Sequence, residues 1–576
     1  MARTASRSSL SQPTKRFKLT PFERTAFFTS LVLALLIMVV LISGDRTVPR
    51  VRFFNWQDQQ VGAADRAMLF TFSRPMQTES VELNYAIEPP PPLPGKFSWA
   101  GRRMAYTLPL PLPYGTEYTV SMANAREQYQ NGEVGKLMQP FEATFVTRDR
   151  AFAYIGVAED EENRLVLYNL TQQEKQVLTP SNLLVTDFQP YPRGDRILFA
   201  ALNQNIEADA SLNLELYTVT TGLNYADPLL ESTQPDVPAG QIERVLDSDL
   251  YQNLKFELAP NGEFIIVQRA NKQNPGVDFG LWLLRDGEQP EQLNTEPGGQ
   301  FLITPDSQSM IMAQGQGLAI LPLEATAEPL DFLPQFGQVL AIDPNGTRAV
   351  MVRFNSDFTR SLFMVNRQGD QLELWRTDGS ILKAEFAPNG EQLYALVSRL
   401  VPGDVYQEQP FIVAIDLSLA LEVASELEAE PEAATNSNDL LDPSSPAEAQ
   451  AGVNRELVLD ATLAAEDPSE FQFDTSQSEA AEPEAFDWVQ PLLILPQQQD
   501  IQLSLAPDGL ALLFDQVERD VVESPEDSDQ ATGKLVSQSQ LWLLPLLPPT
   551  AINAEELVLP DPEPLPIAGL RPRWLP

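Results

Sequence analysis

"LKFELAPNGEFIIVQ", residues 254–268, contains the pattern that decides the fold: an apolar strand ending in proline, a two-residue turn and a second apolar strand. The Asn-Gly pair suits a tight hairpin, because both central residues of such a turn need a positive φ, which Asn and Gly tolerate. The proline is placed at the end of the first strand, where its missing N–H costs no ladder hydrogen bond. This stretch therefore predicts an antiparallel β-hairpin.

The same module recurs along the chain. Its other copies are "VTDFQPYPRGDRILFAA" (185–201), "FLITPDSQSMIMA" (301–313), "LAIDPNGTRAVMV" (340–352), "KAEFAPNGEQLYAL" (383–396) and "LSLAPDGLALLF" (503–514). A further short apolar strand follows each copy, as in "LWLLR" at 281–285. Successive copies in the middle of the chain lie about 40–45 residues apart, which is the length of one four-stranded propeller blade.

Two incomplete copies complement each other. Residues 152–179 contain the second and third strands of a blade but no opening strand, whereas "GLRPRWLP" (569–576) contains an opening strand with nothing after it. Alignment places Trp574 opposite Phe386 and Pro576 opposite Pro388. We therefore expect the two segments to form one blade together, which brings the count to seven.

The recurring strand–turn–strand module resembles the TolB-type, WD-like propeller repeat, in which F-S-P-D-G opens each blade. The resemblance implies an all-β chain with a seven-bladed β-propeller over residues 150–576, closed by N- and C-terminal strands. Closure of this kind removes exposed sheet edges. It implies a fold and no activity, because propellers have many unrelated functions.

Residues 51–148 form a second region of short alternating apolar runs. "FTFSRPM" (70–76), "FSWAG" (97–101), "YGTEYTV" (114–120) and "PFEATFVT" (140–147) occur there in this order. Together they resemble the SbsA-type bacterial Ig-like domain. The resemblance implies an Ig-like β-sandwich of about seven strands that acts as a stalk or spacer.

The chain begins with a basic segment and an apolar run. Residues 25–43, "TAFFTSLVLALLIMVVLIS", carry no charge, and a helix of that length would span roughly 28 Å. We expect a single transmembrane helix at 25–43, with residues 1–24 as a cytoplasmic basic tail and the bulk of the chain periplasmic or extracellular. The alternative is a cleaved secretory signal, which the length of the run and the lack of an A-x-A site disfavour.

Composition excludes several function classes. The chain has no Cys and no His, so Cys/His zinc sites, thiolate nucleophiles and histidine triads are impossible. A net charge of −41 makes nucleic acid a poor partner. Residues 422–487 are rich in Ala, Ser, Pro and Glu, and we expect them to be a disordered acidic insert.

No residue stands out as catalytic, cofactor-binding or metal-binding. The acidic run "AEDEEN" (158–163) lacks the spacing of an EF-hand loop. Asp306, Asp343 and Asp508 each lie beside a repeat turn, which favours a structural role. G-x-S-x-G, P-loop and dinucleotide-binding motifs are missing.

We therefore expect a membrane-anchored protein of the cell envelope that is no enzyme and that binds a protein or glycan partner as a scaffold. The alternative is a carboxylate-dependent enzyme acting on envelope polysaccharide. A third possibility, a cell-surface adhesion or S-layer-associated protein, follows from the Ig-like resemblance alone.

Overall fold

The structure is a computed structural model, and it describes most of the 576 residues. The described ranges are 21–43, 47–128, 135–204, 213–223, 237–293, 295, 298–315, 317–323, 331–403, 406–429, 456–457, 486–498, 500–518, 538–546 and 561–576.

Three helices occur in these ranges: α1 (Pro21–Ser43), α2 (Thr78–Glu82) and α3 (Leu417–Ala429). The described part of the chain contains no helix whose length and apolar character would let it cross a membrane. The transmembrane helix predicted at 25–43 is thus a wrong prediction. Helix α1 begins at Pro21, four residues before the predicted span.

Two four-stranded sheets follow and form an N-terminal unit with one shared core. Their strand orders are β1-β3-β6-β5 and β2-β8-β7-β4. The strands are β1 (Val51–Phe54), β2 (Gln60–Val61), β3 (Ala67–Phe72), β4 (Tyr85–Glu88), β5 (Lys96–Ala100), β6 (Arg103–Thr107), β7 (Glu117–Met122) and β8 (Phe141–Thr147). Trp56, Phe70, Tyr118 and Phe145 are fully buried between them. The Ig-like character of this unit stays a prediction.

Residues 151–574, the repeat region, form seven further sheets. Sheet 1 has β9 (Ala151–Gly156), β10 (Leu165–Asn169), β11 (Glu174–Val177) and β37 (Gly569–Trp574); sheet 2 has β12 (Leu183–Pro190), β13 (Arg196–Asn203), β14 (Leu214–Thr220) and β15 (Ile242–Leu246); sheet 3 has β16 (Tyr251–Leu258), β17 (Phe264–Asn271), β18 (Phe279–Arg285) and β19 (Glu291–Gln292); sheet 4 has β20 (Phe301–Ile303), β21 (Ser309–Gln314), β22 (Gly317–Pro322) and β23 (Asp331–Leu333).

The last three sheets have the same antiparallel order. Sheet 5 has β24 (Gln338–Ile342), β25 (Arg348–Phe354), β26 (Arg360–Asn366) and β27 (Gln371–Thr377), with β31 (Glu456–Leu457) added in parallel; sheet 6 has β28 (Ile381–Phe386), β29 (Gln392–Leu400), β30 (Glu408–Asp416) and β32 (Val489–Ile494); sheet 7 has β33 (Leu503–Leu505), β34 (Ala511–Glu518), β35 (Gln538–Pro545) and β36 (Glu563–Pro564).

The repeat turns differ in type from the prediction. In the turn of sheet 3 the Gly262 N–H donates to the carbonyl of Ala259 at 2.8 Å, so the intervening Pro260 lies inside the turn. Gly262 has φ 73°, whereas the preceding Asn261 has no positive φ. The proline presets the φ of the second turn residue, and glycine alone takes the left-handed position. The turn is therefore a type I turn followed by glycine, and it makes no use of a left-handed asparagine.

The C-terminal strand joins the sheet formed early in the chain. Strand β37 pairs antiparallel with β9, with Trp574 opposite Phe152, as expected from the two incomplete repeats. All six residues of β9 are buried. Sheet 1 therefore depends on residues from both ends of the repeat region.

The predicted fold class combines an N-terminal transmembrane helix, an Ig-like β-sandwich and one seven-bladed β-propeller closed by N- and C-terminal strands. This combination is wrong, and its all-β character alone is confirmed. The described residues form an all-β structure of nine separate sheets with three helices, and they contain neither a closed barrel nor a single propeller. The physical reason is that the repeat pattern determines strand pairing within each sheet, which is local, and does not determine how separate sheets are arranged.

Part of the predicted acidic insert at 422–487 is ordered. Helix α3 extends to Ala429, and Ala420 and Ala424 are buried against sheets 5 and 6. Strand β31 pairs with β27. Residues 430–455 and 458–485 lie outside the described residues.

Among the described residues, three long-range hydrogen bonds join the N-terminal unit to the turn ends of the repeat region. The Arg66 guanidinium donates to the Pro388 carbonyl at 2.8 Å, and the Arg148 guanidinium donates to the main-chain oxygen of Pro576 at 2.9 Å. Asp508 accepts from the Tyr114 N–H at 3.1 Å. These bonds fix the unit to the turn ends of sheets 1, 6 and 7, which we call the docked end.

Candidate functional site

No site residue is predicted from the sequence, but the structure brings together six polar residues on three edge strands. We call them the first-strand cluster: Asp187 and Gln189 on β12, Lys255 and Glu257 on β16, and Arg571 and Arg573 on β37. Strand β37 contacts β12. The cluster therefore lies where the edges of sheets 1, 2 and 3 meet.

Both arginines of the cluster point to a single carboxylate oxygen. The distance to Asp187 Oδ1 is 3.6 Å from Arg571 Nη1 and 3.4 Å from Arg573 Nη2. Their side chains are 41% and 31% exposed, and that of Asp187 is 34% exposed. The cluster is thus reached by solvent although it lies between sheets.

Bulges orient these side chains. The ladder shifts register between Val185 and Asp187 in β12 and between Leu570 and Arg573 in β37. Arg571 has φ 52°, a left-handed conformation that costs energy for a residue with a side chain. Its N–H donates to Asp515 Oδ2 at 2.8 Å, which holds the backbone in this conformation.

Burial shifts the pKa values around the cluster. Burial raises the pKa of Glu257 above its ordinary value of 4.5, against the opposing effects of Lys255, Arg573 and the hydrogen bond from Gln189. Burial also lowers the pKa of Lys255, whose Nζ donates to the Phe301 carbonyl at 3.3 Å. Asp515 lies behind β37, and burial raises its pKa as well.

Sheet 6 repeats the arrangement of sheet 3. Lys383 Nζ lies 2.7 Å from Glu385 Oε1, and Glu385 Oε2 accepts from the Leu505 N–H at 2.7 Å. Counted back from the turn proline, Lys383 and Glu385 hold the same two positions as Lys255 and Glu257. This column of charges inside otherwise apolar strands is the signal from which the cluster could have been found in the sequence.

A second group of residues lies at the opposite ends of sheets 5 and 6. In an antiparallel sheet the turn between the first two strands and the next hairpin lie at opposite ends. The Pro388 turn of sheet 6 contacts the N-terminal unit, and Arg348 in the turn of sheet 5 donates to the Gly390 carbonyl. Hairpin 354–360 and the hairpin at the ends of β29 and β30, of which residues 400–403 and 406–408 are described, therefore point away from the docked end.

Three aromatic side chains are largely exposed on these hairpins, and we call them the hairpin patch. Phe354 is 58%, Phe358 90% and Tyr406 70% exposed. Phe358 has φ 68°, a strained conformation for an aromatic residue. Asp357 Oδ1 accepts from the Thr359 N–H at 3.1 Å and from its hydroxyl at 2.6 Å, which fixes the tip around it.

Glu408 connects Tyr406 to neighbouring residues of sheet 6. Its carboxylate accepts from the hydroxyls of Ser380 (3.0 Å), Ser398 and Tyr406. Burial acts to raise the pKa of Glu408, but these three donors and the nearby Arg360 outweigh it and lower the pKa. The hydrogen bond to Glu408 raises the pKa of Tyr406. A polar base of fixed geometry thus lies beneath the exposed ring of Tyr406.

The three aspartates beside repeat turns have local partners, in agreement with the structural role. Asp343 accepts from the Thr347 N–H at 2.6 Å and its hydroxyl at 2.8 Å, and Asp306 accepts from the Gln308 N–H at 3.0 Å. Asp508 accepts from the Leu510 N–H at 3.1 Å in the same way. Its additional ion pair with Arg150 at 3.1 Å was not foreseen.

The acidic residues at 158–163 are not all exposed to solvent, although their sequence suggests that they would be. Glu161 is 2% exposed, forms an ion pair with Lys175 and accepts from the Tyr154 hydroxyl at 3.1 Å. The described residues contain no group of three or more acidic side chains that could hold a metal ion.

No protein-family model and no curated protein matches this chain. The solved structures similar to it include TolB-type β-propeller proteins.

TolB from Acinetobacter baumannii is 10% identical, with 58% of this chain and 78% of that chain covered and a TM-score of 0.33. A putative TolB from Agrobacterium tumefaciens is 12% identical, with coverages of 47% and 86% and a TM-score of 0.31. An oligogalacturonate lyase in complex with manganese is 12% identical, with coverages of 61% and 93% and a TM-score of 0.33. These values are too low to carry an argument about function.

Proposed function

We propose that the protein is a binding or scaffold protein of the cell envelope and that the hairpin patch is its protein- or glycan-binding face. The observation that carries the proposal is the exposure of Phe354, Phe358 and Tyr406 on two adjacent hairpins. Aromatic side chains are enriched where proteins bind partners, because they offer large rigid contact area at low entropic cost.

The surroundings of the patch support binding. Arg376 and Asp357 form an exposed ion pair at 2.7 Å beside Phe358, and the Glu408 network lies under Tyr406. A hydrophobic centre with a polar rim is the usual composition of a recognition surface. The N-terminal unit is bonded to the docked end, so it leaves these hairpins accessible.

The proposal is tested by retention of envelope protein and of glycan on the immobilised protein. We expect the triple variant Phe354→Ser, Phe358→Ser, Tyr406→Ala to lose at least about tenfold of the retained partner, because such rings are typical hot spots of binding. The matched control is Phe53→Ser with Leu83→Ser, since both side chains are exposed on the N-terminal unit. Equal retention by the triple variant and the control would refute the proposal.

The envelope location and the absence of catalysis are parts of this proposal that derive from the sequence alone. Treatment of spheroplasts with protease tests the location: degradation of the repeat region is expected, and complete protection would contradict it. Incubation of the purified protein with envelope polysaccharide tests the enzymatic alternative, for which we expect no change in chain length.

A further inference from the structure

We infer that the first-strand cluster is a binding site for a small carboxylate ligand, which the guanidinium groups of Arg571 and Arg573 hold between them. This site is separate from the hairpin patch and lies at the meeting edges of sheets 1, 2 and 3.

The charge of the cluster is opposite to that of the chain. Lys255, Arg571 and Arg573 contribute three positive charges against the carboxylates of Asp187 and Glu257, within a chain of net charge −41. Burial favours the neutral forms of both Glu257 and Lys255, so the two effects offset each other and the two arginines still exceed the one remaining carboxylate, that of Asp187. Two neighbouring guanidinium groups that share one carboxylate repel each other, so the cluster favours an added anion.

The distances show that Asp187 does not saturate the two arginines. Charge-assisted N–H···O bonds are normally about 2.7–2.9 Å long, whereas the two contacts to Asp187 Oδ1 are 3.4 Å and 3.6 Å. Each guanidinium has five N–H donors. Asp187 is the one ion-pair partner of either guanidinium among the described residues, so most donors remain available to a ligand.

The backbone positions the arginines in advance. Arg571 keeps a left-handed φ of 52° because its N–H is bonded to the buried Asp515. The Arg573 guanidinium lies 5.8 Å from the centre of the Phe188 ring. Strained residues and bulges are concentrated at functional sites, where they direct side chains to ligands.

A carboxylate is the ligand class that this geometry fits. Planar guanidinium groups match a planar carboxylate through paired hydrogen bonds. The arrangement already accommodates one carboxylate, that of Asp187, between both arginines. A second carboxylate would share or replace that position, and the partial exposure of all three side chains gives it access.

The test is calorimetric titration of citrate into the full chain at low ionic strength. We expect saturable binding that weakens with added salt, and Arg573→Gln should weaken it about tenfold, the effect of losing a charge-assisted hydrogen-bond pair. Asp187→Asn should tighten binding several-fold, because it removes the internal competitor. Arg285→Gln is the control, since Arg285 is an exposed arginine with only long contacts to Glu288 and Glu291.

The opposite signs of the two variants separate a ligand site from a structural ion-pair network. Weaker binding by both Arg573→Gln and Asp187→Asn, or equal binding by all variants, would overturn the inference. Tighter binding of inorganic phosphate than of citrate would overturn the assignment to a carboxylate. If Arg573→Gln fails to fold, Arg573→Lys replaces it, and the expected result is an intermediate loss because lysine keeps the charge without the planar fork.

Discussion

Asp508 shows how one turn residue acquires a second role. Its position in the turn is that of Asp306 in sheet 4, and both carboxylates accept the N–H of the residue two positions later. Only Asp508 also binds Arg150 and the Tyr114 N–H. The local bond is predictable from the turn sequence, but the distant ones are not, because their partners lie in another part of the chain.

The pair allows a matched test of the long-range bonds. We expect Asp508→Ala to lower the free energy of unfolding by about 1–3 kcal/mol, because it leaves a partly buried arginine and a buried N–H without this acceptor. Asp306→Ala loses only local bonds and should cost about 0.5–1 kcal/mol. Denaturant unfolding measures both, and equal losses would contradict the long-range role of Asp508.

Glu257 predicts a pH dependence of stability. Its pKa in the folded chain is raised above 4.5, so the folded state binds the proton more tightly than the unfolded chain does. Stability from this group therefore falls as the pH rises from about 4.5 through the raised pKa. In Glu257→Gln this loss is absent, and the difference in melting temperature between variant and wild type should grow with pH across that window and then level off. A constant difference would contradict the assignment.

At the scale of elements, the sequence predicts the β-strands and their hairpins better than the helix that packs against them. The six recurring hairpins and the pairing of the C-terminal strand with β9 are present, because apolar alternation and turn residues act locally. Helix α3 was not predicted, because its Ala- and Glu-rich sequence, within an acidic region, has the composition of a disordered segment. Its burial depends on contacts with strands β27 and β29, which composition does not reveal.

The packing of Trp574 contributes to the stability of strand β37. Trp574 is 6% exposed, and its ring lies 5.5 Å from that of Phe152. We expect Trp574→Ala to lower the free energy of unfolding by about 3–5 kcal/mol, as is usual for a buried large aromatic residue. Trp99→Ala in the N-terminal unit removes a half-buried tryptophan and should cost less. Thermal unfolding compares the two, and a silent Trp574→Ala variant would show that β37 contributes little.

At the scale of the molecule, the docked end couples the N-terminal unit to the repeat region. Each contact involves a turn or a chain terminus of the repeat region and a polar group of the N-terminal unit. The sequence predicts the N-terminal unit and the repeat region as two separate apolar patterns. It does not indicate which end of one contacts which end of the other, so this arrangement could not be predicted. The same limit applies to the first-strand cluster, which needs three edges to be neighbours.

Removal of the arginine contacts should uncouple the two parts. In Arg66→Ala with Arg148→Ala we expect calorimetry to show a separate transition for the N-terminal unit, several degrees below that of the repeat region, because the charge-assisted bonds to Pro388 and Pro576 are lost. Arg103→Ala, which removes an exposed arginine of the same unit, is the control. A single unchanged transition would show that the contacts do not couple the parts.

The pairing of β9 with β37 also has a consequence for synthesis. Strand β9 is made early, but its partner emerges from the ribosome more than four hundred residues later. At bacterial-scale rates of roughly 10 residues per second, the nascent chain waits on the order of 40 s with an unpaired apolar edge. Until the last residues of the repeat region are synthesised, β9 therefore keeps an exposed edge that chaperones and proteases can recognise.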